Sequence, residues 1–192
     1  MPRSTLVRQD IVEHLCDVFR SCGYEGTTMA LVSQVTGLQK ASLYHHFPGG
    51  KSEMLETAVL ATIVELERRV FCFLDTNDQA ADRITQVLKG FAAYTNSGRR
   101  SCLLAVIAQS SVAEDFKSRI GTQFGVWISR LSSTLVEFGH GQKRADMLAV
   151  ETLETLYGAL AVGRLLGSFE NVDLALERCR AIIGLGDKTG FS

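Results

Sequence analysis

Along most of this chain, hydrophobic residues recur at steps of three and four, the spacing that lines one face of an α-helix. Val7, Ile11, Leu15, Val18, Phe19 and Cys22 mark the first such face, with Thr5 as its N-cap and Gly23 as its end. A loop at residues 24–26 follows. Thr27 or Thr28 then caps a short helix through Val32 and Val35, Gly37 turns the chain, and a third short helix runs to about Phe47, where Pro48-Gly49-Gly50 breaks it. From Lys51 to about Leu74 the pattern is one long helix, with Leu55, Val59, Ile63, Leu66 and Val70 on one face and the polar run 75–78 as its stop.

The second half continues in the same way. Ile84, Leu88 and Phe91 predict a helix before Asn96-Ser97-Gly98, and a shorter apolar segment covers 102–108. Ser111 and Glu114 have capping-box spacing for the next helix, whose stripe is Phe116, Ile120, Phe124, Trp127, Leu131, Leu135 and Phe138. From Lys143 to about Gly167 the pattern becomes apolar nearly all round, so this helix needs partners on several sides. A last helix from about Asn171 carries Val172, Leu176, Cys179 and Ile183. No alternating strand pattern or internal repeat interrupts the series, so the fold class is all-α.

Composition agrees with a well-packed protein: 46% of the residues are hydrophobic, and the two prolines, Pro2 and Pro48, leave the long helices uninterrupted. Charge gives no direction, because the formal net charge is −1 and residues 1–51 hold five basic against four acidic side chains. The longest uncharged apolar stretch of the C-terminal half, 155–163, is too short for a bilayer and no leader is evident, which predicts a cytoplasmic protein with no membrane partner. Five widely spaced cysteines without a CxxC pair suggest neither a disulfide framework nor a metal site. No cofactor is expected.

The segment 27–51, TTMALVSQVTGLQKASLYHHFPGGK, is the most informative. Two short helices meeting at Gly37 have helix-turn-helix form. With Leu43 and Phe47 facing the core, about 100° per residue puts Ala41, Ser42 and His45 on the opposite face and Tyr44 and His46 on its flanks. Ser42, Ala41 and His45 suit base edges in a major groove. Tyr44, His46, Lys51 and the first turn of the long helix suit phosphates, while Thr27, Thr28, Gln39, Lys40 and, on the N-terminal arm, Arg3 complete the candidate DNA contacts.

At this segment the sequence resembles the TetR family. Thr27-Thr28, Val32, Gly37-Leu38, Leu43-Tyr44-His45-His46-Phe47 and Lys51 stand in family order and spacing, and Gly23-Tyr24 matches the aromatic after the first helix. The run 44–51 and Ser101-Cys102-Leu103 resemble its LmrA-like branch. Ser33, Thr36 and Gln39 depart from the family pattern, and Gln39 is a weak cap for the third helix. The resemblance implies a helix-turn-helix domain at residues 1–50 and a helical-bundle domain at 51–192 that dimerises and binds a ligand. It further implies a homodimeric repressor on a palindromic operator of double-stranded DNA, released by a small-molecule effector.

Expectations for the body are less sharp. A lipophilic or aromatic effector suits a pocket walled by Phe91, Tyr94, Leu103, Ile107, Phe124, Trp127, Leu131 and Tyr157, each of which can equally be core. Leu156, Ala159, Leu160, Gly163, Leu176, Cys179 and Ile183 are the expected dimer interface. Cys102, following Arg99 and Arg100, is a possible thiol sensor or a buried small hydrophobe. Arg164 suits either a ligand acid or an interface carboxylate. An activator or a ligand-independent DNA binder remains as an alternative, and an all-α enzyme is disfavoured because no catalytic or phosphate-binding motif appears.

Overall fold

The computed structural model describes residues 8–186, and within them the regular structure is helical throughout. The expected cap at Thr5 and the arm residue Arg3 lie outside that range. Helix α1 spans Arg8–Gly26 and is bent at Gly23, whose φ of 66° is left-handed; the turn beyond it stays helical, where a loop was expected. Helix α2 spans Met29–Thr36 and is capped by Thr28, whose Oγ1 accepts the N–H of Leu31 at 3.1 Å. Gly37, at φ 68°, ends α2 in the left-handed conformation that glycine adopts without cost. Helix α3, Lys40–His46, follows with Gln39 at its N-cap and no side-chain cap bond.

The long helix α4 spans Gly50–Arg69 and stops earlier than its hydrophobic pattern suggests; a 3₁₀ turn, Phe71–Asp75, takes over. Two arginines distant in sequence account for the change. Arg130 donates to the carbonyl of Phe71 at 2.8 Å and Arg83 to that of Leu74 at 2.9 Å, so the carbonyls at the end of this segment find side-chain donors. Helix α5 is Ala80–Tyr94, α6 Leu103–Ala108, α7 Glu114–Phe138, α8 Gln142–Leu166 and α9 Glu170–Ile183. The capping box expected at Ser111 does not form: α7 begins at Glu114 itself, and the N–H of Ser111 donates to Oε1 of Glu25 at 2.5 Å.

Packing divides the chain into two compact units. The first runs to Glu65 and includes Cys102–Ile120; Ile11, Leu15, Phe19, Val32, Leu43, Phe47, Met54 and Ala58 are buried in it. There α1 packs on α2 and α6, and α2 on α3. The second takes Leu66–Ser101 and the chain from Gly121 on, with α8 laid along α9 and Ile84, Leu88, Trp127, Leu135, Leu148, Leu156 and Leu176 buried.

Candidate DNA-binding site

The recognition face begins with what α3 buries. Leu43 and Phe47 are fully buried and anchor α3, leaving Gln39, Lys40, Ala41, Ser42, Tyr44 and His45 exposed, Tyr44 to 49%. His46 is half-buried between the rings of His45 and Phe47, with centroids at 5.9 and 6.4 Å.

Four expected contacts have other work in this structure. Thr27 is only 1% exposed and its hydroxyl donates to the carbonyl of Gly23 at 2.7 Å, so its side chain is not offered to a ligand; it ties the α1 end to α2. Lys51 lies over the ring of Tyr24, its Nζ 4.3 Å from the centroid, and reaching a phosphate means leaving that ring. The start of α4 is not a bare anion site either, because the Glu53 carboxylate accepts the N–H of Gly49 at 2.7 Å and brings its own negative charge. Thr28 is exposed, but its oxygen is engaged in capping α2.

Arg8 was not singled out by sequence spacing. Its Nη1 donates to the carbonyl of His46 at 3.2 Å and its guanidinium sits 5.0 Å from the Phe47 centroid, closing α3 from the start of α1. A lone arginine on a helical pattern gives no sign of such a long-range bond.

The aromatic candidates of the body form a chain of rings in the second unit. Phe91 meets Tyr157 at 5.4 Å, Tyr157 meets Phe124 at 5.3 Å, Phe124 meets Trp127 at 5.4 Å, and Trp127 stacks on Phe71 at 4.2 Å. Phe71 escaped the sequence reading because it falls in the 3₁₀ turn, out of helical register. Tyr94 is buried beneath the Arg100 guanidinium, 5.0 Å from its ring, and Leu131 is core. Leu103 and Ile107 are buried on α6, in the first unit.

Most of the expected dimer residues lie inside the chain's own core. Leu156, Leu160, Gly163, Leu176, Cys179 and Ile183 are buried within the chain, where α8 packs on α9, and Ala159 is half-buried. A helix apolar on all sides has two apolar faces, and periodicity picked the one that closes the chain's own core. Met147, Val150, Val162, Leu165, Leu166, Phe169 and Leu174 are the exposed ones, Leu165 to 86%. Cys102 is 1% exposed, which removes the access a thiol sensor needs. Arg164 Nη1 donates to Ser101 Oγ at 2.6 Å. No group of three or more potential metal-ligating His, Cys, Asp or Glu side chains occurs among the described residues.

Residues 11–58 match the family described as bacterial regulatory proteins, tetR family. The YxaF regulator of Bacillus subtilis is 24% identical over 170 residues, covering 86% of each chain, and the LmrA regulator of the same organism 26% identical over 144 residues, covering 72% of this chain and 76% of LmrA. Residues 11–58 are thus a TetR-type DNA-binding domain, in a chain similar over most of its length to transcriptional regulators.

The fold is also that of solved TetR-family regulators. A regulator from Chloroflexus aurantiacus superposes with a TM-score of 0.78 at 21% identity, covering 92% of this chain and 93% of that one. The regulator CifR, solved as a cysteine mutant complexed with a 26 bp double-strand operator DNA, superposes with a TM-score of 0.75 at 20% identity, covering 93% and 97%. The matched family and the relatives compared are transcriptional regulators, not enzymes. No helix among the described residues is long and apolar enough to cross a membrane.

Proposed function

We propose that this regulator is a homodimeric repressor that holds a palindromic operator through α3 and is released by a small lipophilic or aromatic effector. The observation that carries the reading is the outer face of α3, where Lys40, Ala41, Ser42, Tyr44 and His45 stand exposed on a helix anchored by Leu43 and Phe47. Ser42 and His45 offer hydrogen bonds to base edges, Ala41 fits a thymine methyl, and Lys40, Tyr44, His46 and Gln39 suit the backbone that sets register. Arg8 joins them, and Lys51 does so on leaving Tyr24.

Residues 1–50 form the DNA-binding part in this reading and residues 51–192 the effector and dimerisation part. The second subunit covers the exposed apolar residues of α8 and α9. In support, a groove of about 470 Å³ runs between these helices, lined by Gly158, Val162, Leu174, Glu154 and Arg178, and its small residues let a helix approach closely. The effector sits against the chain of rings from Phe91 to Trp127. Because binding energies couple reciprocally, an effector that weakens DNA binding is itself bound more weakly on DNA.

The test is binding of the purified protein to the DNA flanking its own gene, against shuffled DNA of equal length, over a salt series. Saturation of one palindromic site with about a 10³-fold preference or more supports a specific regulator. Equal, weak and steeply salt-dependent binding to both sequences overturns the operator reading. An effector screen follows on the same probe; if compounds that bind the body leave DNA affinity unchanged, the release step fails.

A further inference from the structure

The turn between α2 and α3 is held by two hydroxyls of α2 that grip one residue. Ser33 Oγ donates to the carbonyl of Leu38 at 2.5 Å, and the N–H of Leu38 donates to Oγ1 of Thr36 at 3.3 Å. Thr36 gives its own proton to the carbonyl of Val32 at 2.7 Å, so its hydroxyl donates once and accepts once. Both side chains are sheltered, Thr36 buried and Ser33 half-buried, and both backbone groups of Leu38 are thereby bonded to α2. Gly37 lies between them in its left-handed conformation, with nothing within 4 Å of the place a Cβ would take; it shapes the turn and leaves the holding to Ser33 and Thr36.

Helix α3 needs such a hold at its start. It has seven residues, too few to be stable by itself, and Gln39 at its N-cap makes no side-chain bond. Its later part is fixed by the buried Leu43 and Phe47 and by Arg8 on the His46 carbonyl. Those anchors alone would leave the first turn, with Lys40, Ala41 and Ser42, free to tilt. Leu38, two residues before Lys40, is where α2 takes hold of that turn. The departures from the TetR pattern at 33, 36 and 39 thus form one arrangement, in which two hydroxyls on α2 fix from outside a helix start that Gln39 does not cap. We infer that Ser33 and Thr36 are positioning residues for base readout, setting through Leu38 the angle at which α3 presents Ser42 and His45. Hydrogen bonds to base edges weaken steeply with misalignment, whereas a long lysine side chain such as Lys40 still reaches a phosphate from a tilted helix. The inference rests on the proposed reading that α3 holds an operator, and it names residues that touch no DNA in that reading yet decide its specificity.

The test uses the full-length protein, with competition anisotropy on the operator fragment identified from the flanking DNA and on shuffled DNA of equal length, over a salt series. Ser33→Ala removes the donor to Leu38, and Thr36→Val removes its acceptor while keeping the side chain's shape. Each variant should lose about 3- to 10-fold of the preference for operator over shuffled DNA, the scale of one hydrogen bond, with shuffled-DNA affinity and salt slope as in the wild type. Circular dichroism checks that each is folded at the temperature used, and Ser33→Ala decides alone should Thr36→Val not fold. A residue that serves stability only moves both affinities together or neither. Wild-type preference in folded Ser33→Ala, or equal loss on both DNAs, therefore overturns the inference and leaves the repressor reading intact. A wild-type protein without preference for any operator overturns that reading, and the inference with it.

Discussion

Gly90 lies against the backbone of Arg69 so closely that a Cβ built on it would fall within 3.0 Å of the Arg69 carbonyl oxygen. Helix α5 thus meets the end of α4 backbone to backbone, at a place where only a residue without a side chain fits.

Gly90→Ala accordingly reverses the usual sign. At an open helix position the change stabilises by up to about 1 kcal/mol; here overpacking should destabilise by about 1–3 kcal/mol. Urea unfolding followed by circular dichroism measures it, and a stabilised variant would show that α5 does not pack as described.

In the proposed reading, the α3 face separates affinity from specificity. Lys40→Ala should weaken binding to operator and shuffled DNA alike and reduce the salt slope by about 1, whereas Ser42→Ala or His45→Ala should narrow the gap between them, by about 1–3 kcal/mol if the residue reads a base. Thr27→Val should leave DNA affinity nearly unchanged and lower stability, because its hydroxyl serves Gly23. Competition anisotropy with both DNAs distinguishes these outcomes.

The proposed α8–α9 interface makes a prediction about assembly. Val162→Glu with Leu165→Glu, both exposed in the chain, should leave the fold intact and convert a dimer to a monomer in sedimentation velocity, whereas Leu156→Glu should unfold the protein by burying an unpaired charge. Retention of the dimer in the double variant would place the interface elsewhere.

Glu25 gives stability a pH dependence. Its carboxyl is held below the usual 4.5, chiefly by the backbone N–H of Ser111. A depressed folded-state value means that its contribution is present above pH 4.5 and is lost as pH falls through the lower, folded value. Glu25→Gln should remove that part of the acid-side slope while leaving the pH dependence near neutral pH unchanged. Urea midpoints measured at a series of acidic pH values check it; parallel curves for the two proteins would refute the assignment.

Thiol access should follow burial. Cys22 is exposed and Cys72 half-exposed, while Cys16, Cys102 and Cys179 are buried; burial pushes the Cys16 thiol up and that of Cys179 up to about 12. A disulfide reagent should therefore label Cys22 first, then Cys72, and the other three only on denaturation. Rapid labelling of Cys102 in the native protein would restore its candidacy as a sensor.

Local signals already determined much of this. Helical periodicity, Gly37 and the buried pair Leu43 and Phe47 specify α2, the turn and α3, because three short helices in one stretch solve their packing among near neighbours. The outer residues of α3 follow from the same geometry. Only the tertiary structure decided which of two apolar faces of α8 closes the core, since an all-round apolar helix carries no phase information. It also decided that α4 ends at Arg69, that Arg8 closes α3 and that Thr27 turns inward. These outcomes depend on donors and acceptors supplied from tens of residues away or by a local bend at Gly23, and periodicity records which side of a helix is apolar but not which distant side chain will satisfy its carbonyls.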